Sequence, residues 1–439
     1  MTRRVLRTVA LLGLVLPGVL PTRAQTVLSL PEALDRAREQ SLAVRSADAA
    51  VAAQGARLDG IRGERLPAVS LDVGGGQRYG LSFDQTTGSL TQQAVESVDA
   101  GLSAQWVVFD GAARRAHQRA AEADMQGAAL DRTRAGLVAQ IEVLRVVLAR
   151  AQAASAVEIA TAQVVAEEQL RSEVRVQVEA GARPPYEGLQ QDERVAAART
   201  ARVQAERDVA GAEAELARRL GLDALASVAV PLPPDDGTAL PDVATLIAQA
   251  LTARADLQSA AQTLVAAEAS RRAARAGRMP SVALYGSVGT GFTSANGDLG
   301  LVGQFGDNRA GALGVRVAVP LFDRGRTAAG VREAQSQIDR AQASLEDARR
   351  AIALDVRQAV LDIESAREQA ALGEVRVAAA EAALAAEESR YREGATTLQA
   401  VALLRARVVE ARTARAQARA AAAVYRIVLQ LATGAEAER

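Results

Sequence analysis

The chain has 439 residues, with 52 basic and 52 acidic side chains, one histidine, no cysteine and only 3% aromatic residues. Without cysteine it has no disulfides and no cysteine to carry a lipid anchor, so we expect that it is not a lipoprotein. Abundant alanine, arginine and glutamate with few aromatics are typical of long helices rather than of a compact mixed core.

The first segment, residues 1–24, has the layout of a secretory signal peptide. Arg3, Arg4 and Arg7 precede a short apolar stretch, and Thr22-Arg23-Ala24 resembles a small-x-small cleavage site. Cleavage there removes four arginines and no acid, so the net charge moves from 0 to −4. A negative chain argues against a nucleic-acid partner, which would require a basic surface.

The rest of the chain repeats itself at one constant offset, the interval from Pro67 to Pro280. The same interval aligns Phe109-Asp110 with Phe322-Asp323, and Gly181-Ala182 with Gly394-Ala395, without a gap. Several coincidences at one offset indicate a duplication. We therefore predict a first structural repeat at residues 25–221 and a second at residues 242–439. Residues 222–241, rich in proline and aspartate, are predicted to be the linker.

Each repeat predicts the same series: a helix, two strands, a long helix, a glycine turn and a return helix. The first helix is predicted over residues 31–63 and 242–277. The long helix is predicted over residues 112–180 and 327–393, because apolar residues recur there at spacings of three and four. The return helices are predicted to end near Leu220 and Thr433.

The long helices are too long to be membrane spans. About 69 residues at 1.5 Å each reach roughly 100 Å, about three times the thickness of a bilayer core. Each long helix with its return helix therefore forms an antiparallel coiled-coil hairpin, with Gly181 and Gly394 at its tip. After residue 24, no apolar run is long enough for a spanning helix, so any membrane part must consist of strands.

Four segments alternate apolar and polar residues with a period of two, as membrane strands do. The residues that mark these predicted membrane strands are Val69, Leu71, Leu102, Trp106, Val282, Leu284, Val315 and Val317. Polar loops are predicted between the strands at residues 84–96 and 293–309. Trp106 fits either an anchor near the lipid interface or core packing.

Four strands cannot close a barrel, since the smallest outer-membrane barrels have about eight. An open sheet edge in lipid would leave backbone groups unpaired. If these strands cross a membrane, several chains must share one barrel. Two chains would supply eight strands and three would supply twelve, and the pattern alone does not choose between them.

Several motifs resemble the TolC-type outer-membrane factor family. These are Leu28-Ser-Leu-Pro-Glu-Ala-Leu34, Arg65-Leu66-Pro67, Val108-Phe109-Asp110-Gly111 and Tyr391-Arg-Glu-Gly-Ala395. The resemblance implies a mainly α fold with a small β part, in which duplicated helical hairpins form an α-barrel tunnel. It implies that four strands per chain contribute to a 12-stranded transmembrane β-barrel in a homotrimer, located in the outer membrane with a large periplasmic part.

The resemblance also implies a function and its partners. The chain would be the passive exit channel of a tripartite efflux or type I secretion system. Its partners would be a periplasmic adaptor (membrane fusion) protein, an inner-membrane pump of the RND or ABC type, and outer-membrane lipid. The alternative is a soluble periplasmic coiled-coil adaptor or scaffold, since such proteins also combine helical hairpins with strands.

Site residues follow from the same resemblance. It places a periplasmic gate at Tyr391 and Glu187, where a tyrosine hydroxyl would donate to a carboxylate. The hairpin tips would contact the adaptor through Gly181, Ala182, Arg183, Gly394, Ala395 and Thr396. Thr396 stands where the family can have arginine, and Ala400 and Leu403 stand where it can have an acidic ring. A plain alternative is that Tyr391 and Glu187 are merely packed and solvated residues at hairpin ends.

No residue pattern indicates catalysis, a metal site or a cofactor. His117 is the only histidine, and it begins a polar helix. Gly74-Gly75-Gly76 lacks the Lys-Ser/Thr of a phosphate-binding loop. The chain is therefore predicted not to be an enzyme.

Overall fold

The computed structural model describes residues 26–84, 89–223, 227–295 and 300–434. The predicted signal peptide lies outside the described residues. The first half contains β1 (Thr26–Val27), α1 (Leu30–Gln40), α2 (Leu42–Gly63), β2 (Ala68–Asp84), β3 (Ser89–Phe109), α3 (Ala113–Glu179) and α4 (Pro185–Arg219). The rest contains β4 (Val228–Ala229), α5 (Val243–Ala253), α6 (Ala255–Ala276), β5 (Ser281–Thr293), α7 (Leu301–Asp307), β6 (Ala310–Ala318), α8 (Arg326–Arg392) and α9 (Leu398–Ala432).

The long helices form two antiparallel hairpins. Helices α3 and α8 have 67 residues each, and α4 and α9 have 35 each. In each hairpin the long helix packs on its return helix, and α3 also packs on α9. The lower half therefore has the lateral order α4, α3, α9, α8. The upper half has the corresponding order α2, α3, α6, α8, because α2 packs on α3, α3 on α6, and α6 on α8. Helices α2 and α6 there take the places of α4 and α9.

Each predicted first helix is two helices. In the first half the break is at Ser41, whose ψ of 151° is extended and whose side chain accepts the Val44 N–H. In the second half the break is at Arg254, with ψ of 125°. The serine oxygen replaces a helical carbonyl as acceptor, which starts a new helix at that point. The alanine-rich pattern continues through both breaks, and the sequence therefore predicts a single helix in each half.

The strands form one antiparallel sheet in the order β2-β3-β5-β6. Because Leu71 pairs with Leu102 and Leu284 with Val315, the apolar residues of neighbouring strands share a face. Strands β2 and β3 have 17 and 21 residues, longer than the expected ten. Much of the predicted polar loop at residues 84–96 is therefore strand, since β3 begins at Ser89. The predicted loop at residues 293–309 contains α7.

The core lies where the short helices cross the hairpins. Its buried residues come from α1, α3, α4, α9 and the linker, and include Leu34, Leu144, Leu216, Val228 and Ile427. Part of the predicted linker is itself a strand, since β4 pairs in parallel with β1. In the described residues no helix has the length and apolarity needed to cross a membrane.

Candidate functional site

Both hairpin tips are glycine turns of the same type. Gly181 and Gly394 have φ of +71° and +76°, the left-handed conformation that favours glycine. After α3, the Ala182 N–H donates to the Gln177 carbonyl, and after α8 the Ala395 N–H donates to the Arg390 carbonyl. These bonds satisfy carbonyls at the helix ends, as in the Schellman motif. The tips are therefore fixed turns.

The return helices begin differently at the two tips. Helix α4 starts with Pro185, whose missing N–H would be unpaired at this position anyway. Helix α9 is capped by Thr397, whose hydroxyl accepts the Ala400 N–H. Thr396 donates its hydroxyl to the Glu387 carboxylate. The turn residues Gly181, Ala182, Gly394 and Ala395 are exposed, and their adaptor contacts stay a prediction.

Tyr391 and Glu187 meet at the tips. The Tyr391 hydroxyl donates to the Glu187 carboxylate at 2.9 Å, which joins the end of α8 to the start of α4. Tyr391 is 3% exposed and Glu187 is 7% exposed. Both side chains are therefore packed away from water, and their role as a gate stays a prediction. Leu170, Val174 and Leu398 pack around the tyrosine in one apolar cluster.

Arg183 faces inward and completes this cluster. Its guanidinium lies 4.0 Å from the centroid of the Tyr391 ring, within cation–π range. It also donates to the Tyr391 carbonyl at 2.5 Å, and it lies 3.7 Å from the Glu187 carboxylate. We call Arg183, Glu187 and Tyr391 the tip latch. The resemblance gave Arg183 only an adaptor contact, which stays a prediction beside this inward role.

Burial governs the ionisation of the tip latch. Removal from water raises the pKa of Tyr391 to about 12, and its hydrogen bond to the Glu187 carboxylate adds to the rise. The nearby arginines Arg183 and Arg194 act in the opposite direction. The hydroxyl therefore remains protonated, and able to donate, throughout the neutral range.

A second polar cluster lies further from the tips. Gln191 on α4 is fully buried, and its amide donates to the Glu167 carbonyl at 3.0 Å and carboxylate at 2.6 Å on α3. Arg405 on α9 donates to the Glu388 carboxylate of α8 at 2.7 Å, and it lies 3.5 Å from the Glu167 carboxylate. We call these four residues the polar layer. They connect all four helices of the two hairpins.

The polar layer was not predicted from the sequence, although one signal pointed to half of it. In the second hairpin, glutamates recur every seven residues in α8 and arginines every seven residues in α9. The resulting ion pairs are Glu388–Arg405, Glu381–Arg412 and Glu374–Arg419. A strict seven-residue repeat is the period of a left-handed coiled coil. Gln191 and Glu167 have no such pattern and read as ordinary surface positions.

The residues that mark the predicted membrane strands lie on one face of the sheet. The register pairs Leu71 with Leu102, Trp106 with Leu284, and Val282 with Val317. Val69 and Val315 continue the same alternation. Trp106 is 41% exposed, which excludes core packing within the protomer. Its indole N–H donates to the Arg65 carbonyl at 2.8 Å, so its polar edge is satisfied beside an apolar face.

Comparison with known proteins identifies the family. The model of the outer membrane efflux protein family matches residues 33–222 and again residues 246–435. The chain belongs to the outer membrane efflux protein family. The second match is displaced from the first by the interval that relates Pro280 to Pro67. The same interval separates α8 from α3 and α9 from α4. The predicted family is confirmed.

Individual relatives agree. The chain is 29% identical to the protein CyaE of Bordetella pertussis over 346 residues, which covers 77% of this chain and 70% of CyaE. The solved CmeC outer membrane channel of Campylobacter jejuni superposes with a TM-score of 0.79 at 17% identity, covering 92% of this chain and 85% of CmeC. The outer membrane protein VceC of Vibrio cholerae gives 0.77 at 19% identity, covering 93% and 97%.

These matches confirm the predicted fold class, a mainly helical chain with duplicated long hairpins and a small sheet. Together with the family, they support an outer-membrane efflux channel and count against a soluble scaffold. Within the described residues, no group of three or more His, Cys, Asp or Glu side chains could hold a metal ion.

Proposed function

We propose that this chain is one subunit of a homotrimeric exit channel, which conducts substrates passively across the periplasm and the outer membrane. The observation that carries the proposal is that, away from the tips, the same two open sides run through the sheet and the helices. In the sheet the unpaired edges are β2 and β6. In the helical part the outer helices are α4 and α8. Both β2 and α4 belong to the first half, and both β6 and α8 to the second.

Two different open sides favour a closed ring. A side from the first half would pair with a side from the second half of the next subunit, which is a head-to-tail contact that closes by rotation. The open edges of β2 and β6 would then be paired in lipid, as backbone groups there must be. Three subunits would give twelve strands, an even number within the range of outer-membrane barrels.

The tip latch is the proposed gate. It holds the end of α8 against α4 through a charge-assisted hydrogen bond and an arginine that stacks on the ring. Such contacts are strong enough to hold a closed conformation, yet each is worth only about 1.5–3 kcal/mol. A partner that binds the tips would therefore be able to open the gate. The proposed partners are a periplasmic adaptor at the tips and an inner-membrane pump of the RND or ABC type.

The test is extraction of the outer-membrane fraction in detergent, followed by mass determination of the unheated protein and conductance measurements in planar bilayers. A trimer mass and a low resting conductance are the expected results. A monomer in the soluble periplasmic fraction would instead support the coiled-coil scaffold. A trimer with a large, constant conductance would refute the gate while leaving the channel.

A further inference from the structure

We propose that neighbouring subunits join through a specific seam between α4 of one copy and α8 of the next, and that an ion pair between Arg207 and Glu368 fixes its register. The proposal rests on the homotrimer proposed above and identifies the surface that a second copy of this chain would occupy. It begins from two rows of exposed residues that the contacts within the protomer do not explain.

Each outer helix has such a row on its exposed side. On α4 the row consists of Ala196, Thr200, Val203 and Arg207, and on α8 it consists of Glu368, Leu372, Val375 and Ala379. Both rows have spacings of four, three and four residues, the pattern of a coiled-coil seam. Val203, Leu372 and Val375 are 57–67% exposed. We call these rows the α4 stripe and the α8 stripe.

The duplication shows what the stripes do. At the offset of the repeat, the counterparts of Leu372, Val375 and Ala379 are Ile159, Ala162 and Ala166 on α3. The counterpart of Ala196 is Val409 on α9. All four of these counterparts line one cavity between α3 and the second hairpin.

Within the protomer, therefore, stripe positions of the first hairpin's long helix meet those of the second hairpin's return helix. Arg405 on α9 donates to the Ala166 carbonyl at 3.0 Å, which fixes that contact. In the repeat, α8 corresponds to α3 and α4 corresponds to α9. The repeated pattern therefore requires an equivalent contact between α8 and an α4. Within one protomer α8 and α4 meet at the tip latch, but away from the tips they lie on opposite sides of the order α4, α3, α9, α8. A second copy supplies the missing α4.

The register follows from the tips. Arg207 follows Gly181 by the same number of residues by which Glu368 precedes Gly394. Helices α4 and α8 run in opposite directions. When the tips of neighbouring subunits lie at the same level, Arg207 and Glu368 therefore lie at the same distance from the tips. Counted from the same two glycines, Ala196 likewise lies opposite Ala379. Opposite charges thus face each other, and small residues face small residues.

The charges are present only where a second copy is needed. The repeat counterparts of Glu368 and Arg207 are Ser155 and Ala420, which are uncharged. Among the described residues, Arg207 forms an ion pair with its chain neighbour Asp208, at 2.7 Å, and its side chain is 73% exposed. In the described parts of the protomer, no hydrogen bond or ion pair is found for Glu368. An ion pair between subunits distinguishes this seam from the internal one and opposes other registers.

Charge exchange tests the pair. Glu368→Arg places like charges at every seam of the trimer, and we expect the monomer fraction of the purified protein to rise by about tenfold at a fixed temperature. Adding Arg207→Glu restores opposite charges and should return the fraction to the parent value. Glu410→Arg is the control, because the exposed Glu410 pairs with Arg376 inside one protomer.

Disulfide crosslinking tests the register without relying on stability. The chain has no cysteine, so Ala196→Cys with Ala379→Cys should give covalent dimers and trimers on oxidation. The control is Ala197→Cys with Ala379→Cys, which moves one thiol about 100° around α4. A native trimer that neither crosslinks at Ala196 and Ala379 nor responds to Glu368→Arg overturns the seam and leaves the channel standing. A parent protein that is monomeric overturns both.

Discussion

Arg183 contacts Tyr391 at two points, since its guanidinium lies over the aromatic ring and also donates to the tyrosine's backbone carbonyl. That carbonyl also accepts the Gly394 N–H of the tip turn. The first hairpin's tip is thereby bound to both the side chain and the turn of the second. Release of the tyrosine hydroxyl alone would leave these arginine contacts in place, which shapes the predictions for the gate.

Tyr391→Phe removes the hydroxyl and leaves the buried Glu187 carboxylate without its donor. A hydrogen bond to a charged group contributes about 1.5–3 kcal/mol, so we expect the open fraction, measured as leak conductance in planar bilayers, to rise at least about tenfold. The trimer should remain intact. The matched control is Tyr186→Phe, because Tyr186 is 57% exposed on the same tip. Equal conductance for Tyr391→Phe and the parent protein would show that the hydroxyl does not contribute to closure of the gate.

The gate should respond to alkaline pH. The pKa of Tyr391 is raised to about 12 in the folded tip latch, against about 10 for an exposed tyrosine. A raised pKa stabilises the latched state fully below pH 10, and this contribution is lost as pH rises from 10 towards 12. We expect leak conductance to be constant between pH 7 and 9 and to increase above pH 10. The same alkaline increase in Tyr391→Phe would argue against this assignment.

The polar layer should contribute more to stability than the ion pair one heptad away. Arg405→Met leaves the buried Glu167 and the half-buried Glu388 without their cation, which should lower the free energy of unfolding by about 2–4 kcal/mol. Arg412→Met is the control. It removes an equivalent contact to Glu381, but both partners are more than 40% exposed, so we expect a loss below about 1 kcal/mol. Denaturant unfolding in detergent measures both, and equal losses would refute the distinction.

The starts of the long helices offer a backbone test. Ala112 precedes α3 with φ of +70°, whereas Gly325 occupies the equivalent place before α8 with φ of +81°. A left-handed conformation costs a residue with a side chain about 1 kcal/mol. Ala112→Gly should therefore stabilise the protein by up to about 1 kcal/mol, and Gly325→Ala should destabilise it by a similar amount.

Apart from its chain neighbours, no atom of the described residues lies within 4 Å of a Cβ built at Gly325, so the expected cost there is conformational. Ala129→Gly, in the interior of α3, is the control and should destabilise by about 1 kcal/mol. Denaturant unfolding measures all three variants. If Ala112→Gly destabilises as Ala129→Gly does, the left-handed conformation at Ala112 carries no cost.

Much of the fold could be predicted because its ends are marked by particular residues. Gly181 and Gly394 place the ends of α3 and α8 within one residue of the prediction, since a left-handed turn needs glycine there. The extra length of β2 and β3 was missed. Residues such as Gln92 and Gln93 read as loop, although they pair with Leu81 and Gly80 in a ladder that extends beyond the apolar alternation.

The site could be predicted only in part, because it depends on distant segments. Nothing local in the sequence brings Tyr391 to Glu187, which are 204 residues apart, and the family resemblance supplied that pair. For Arg183 the sequence predicts only an adaptor contact, and its place against the Tyr391 ring was missed. Gln191 and Glu167 lie in helices full of polar residues, and nothing in the local pattern distinguishes them as buried.

The two halves of the chain also differ at one informative place. The repeat counterpart of Tyr391 is Val178, and that of Glu187 is Ala400. Duplication therefore copied the architecture of the hairpins, but the latch exists once per chain. A ring of six similar hairpins would consequently have the latch at three joints, alternating with three joints that lack it. The closed opening of this ring would have threefold rather than sixfold symmetry. It would widen by separation of the hairpins at every second joint.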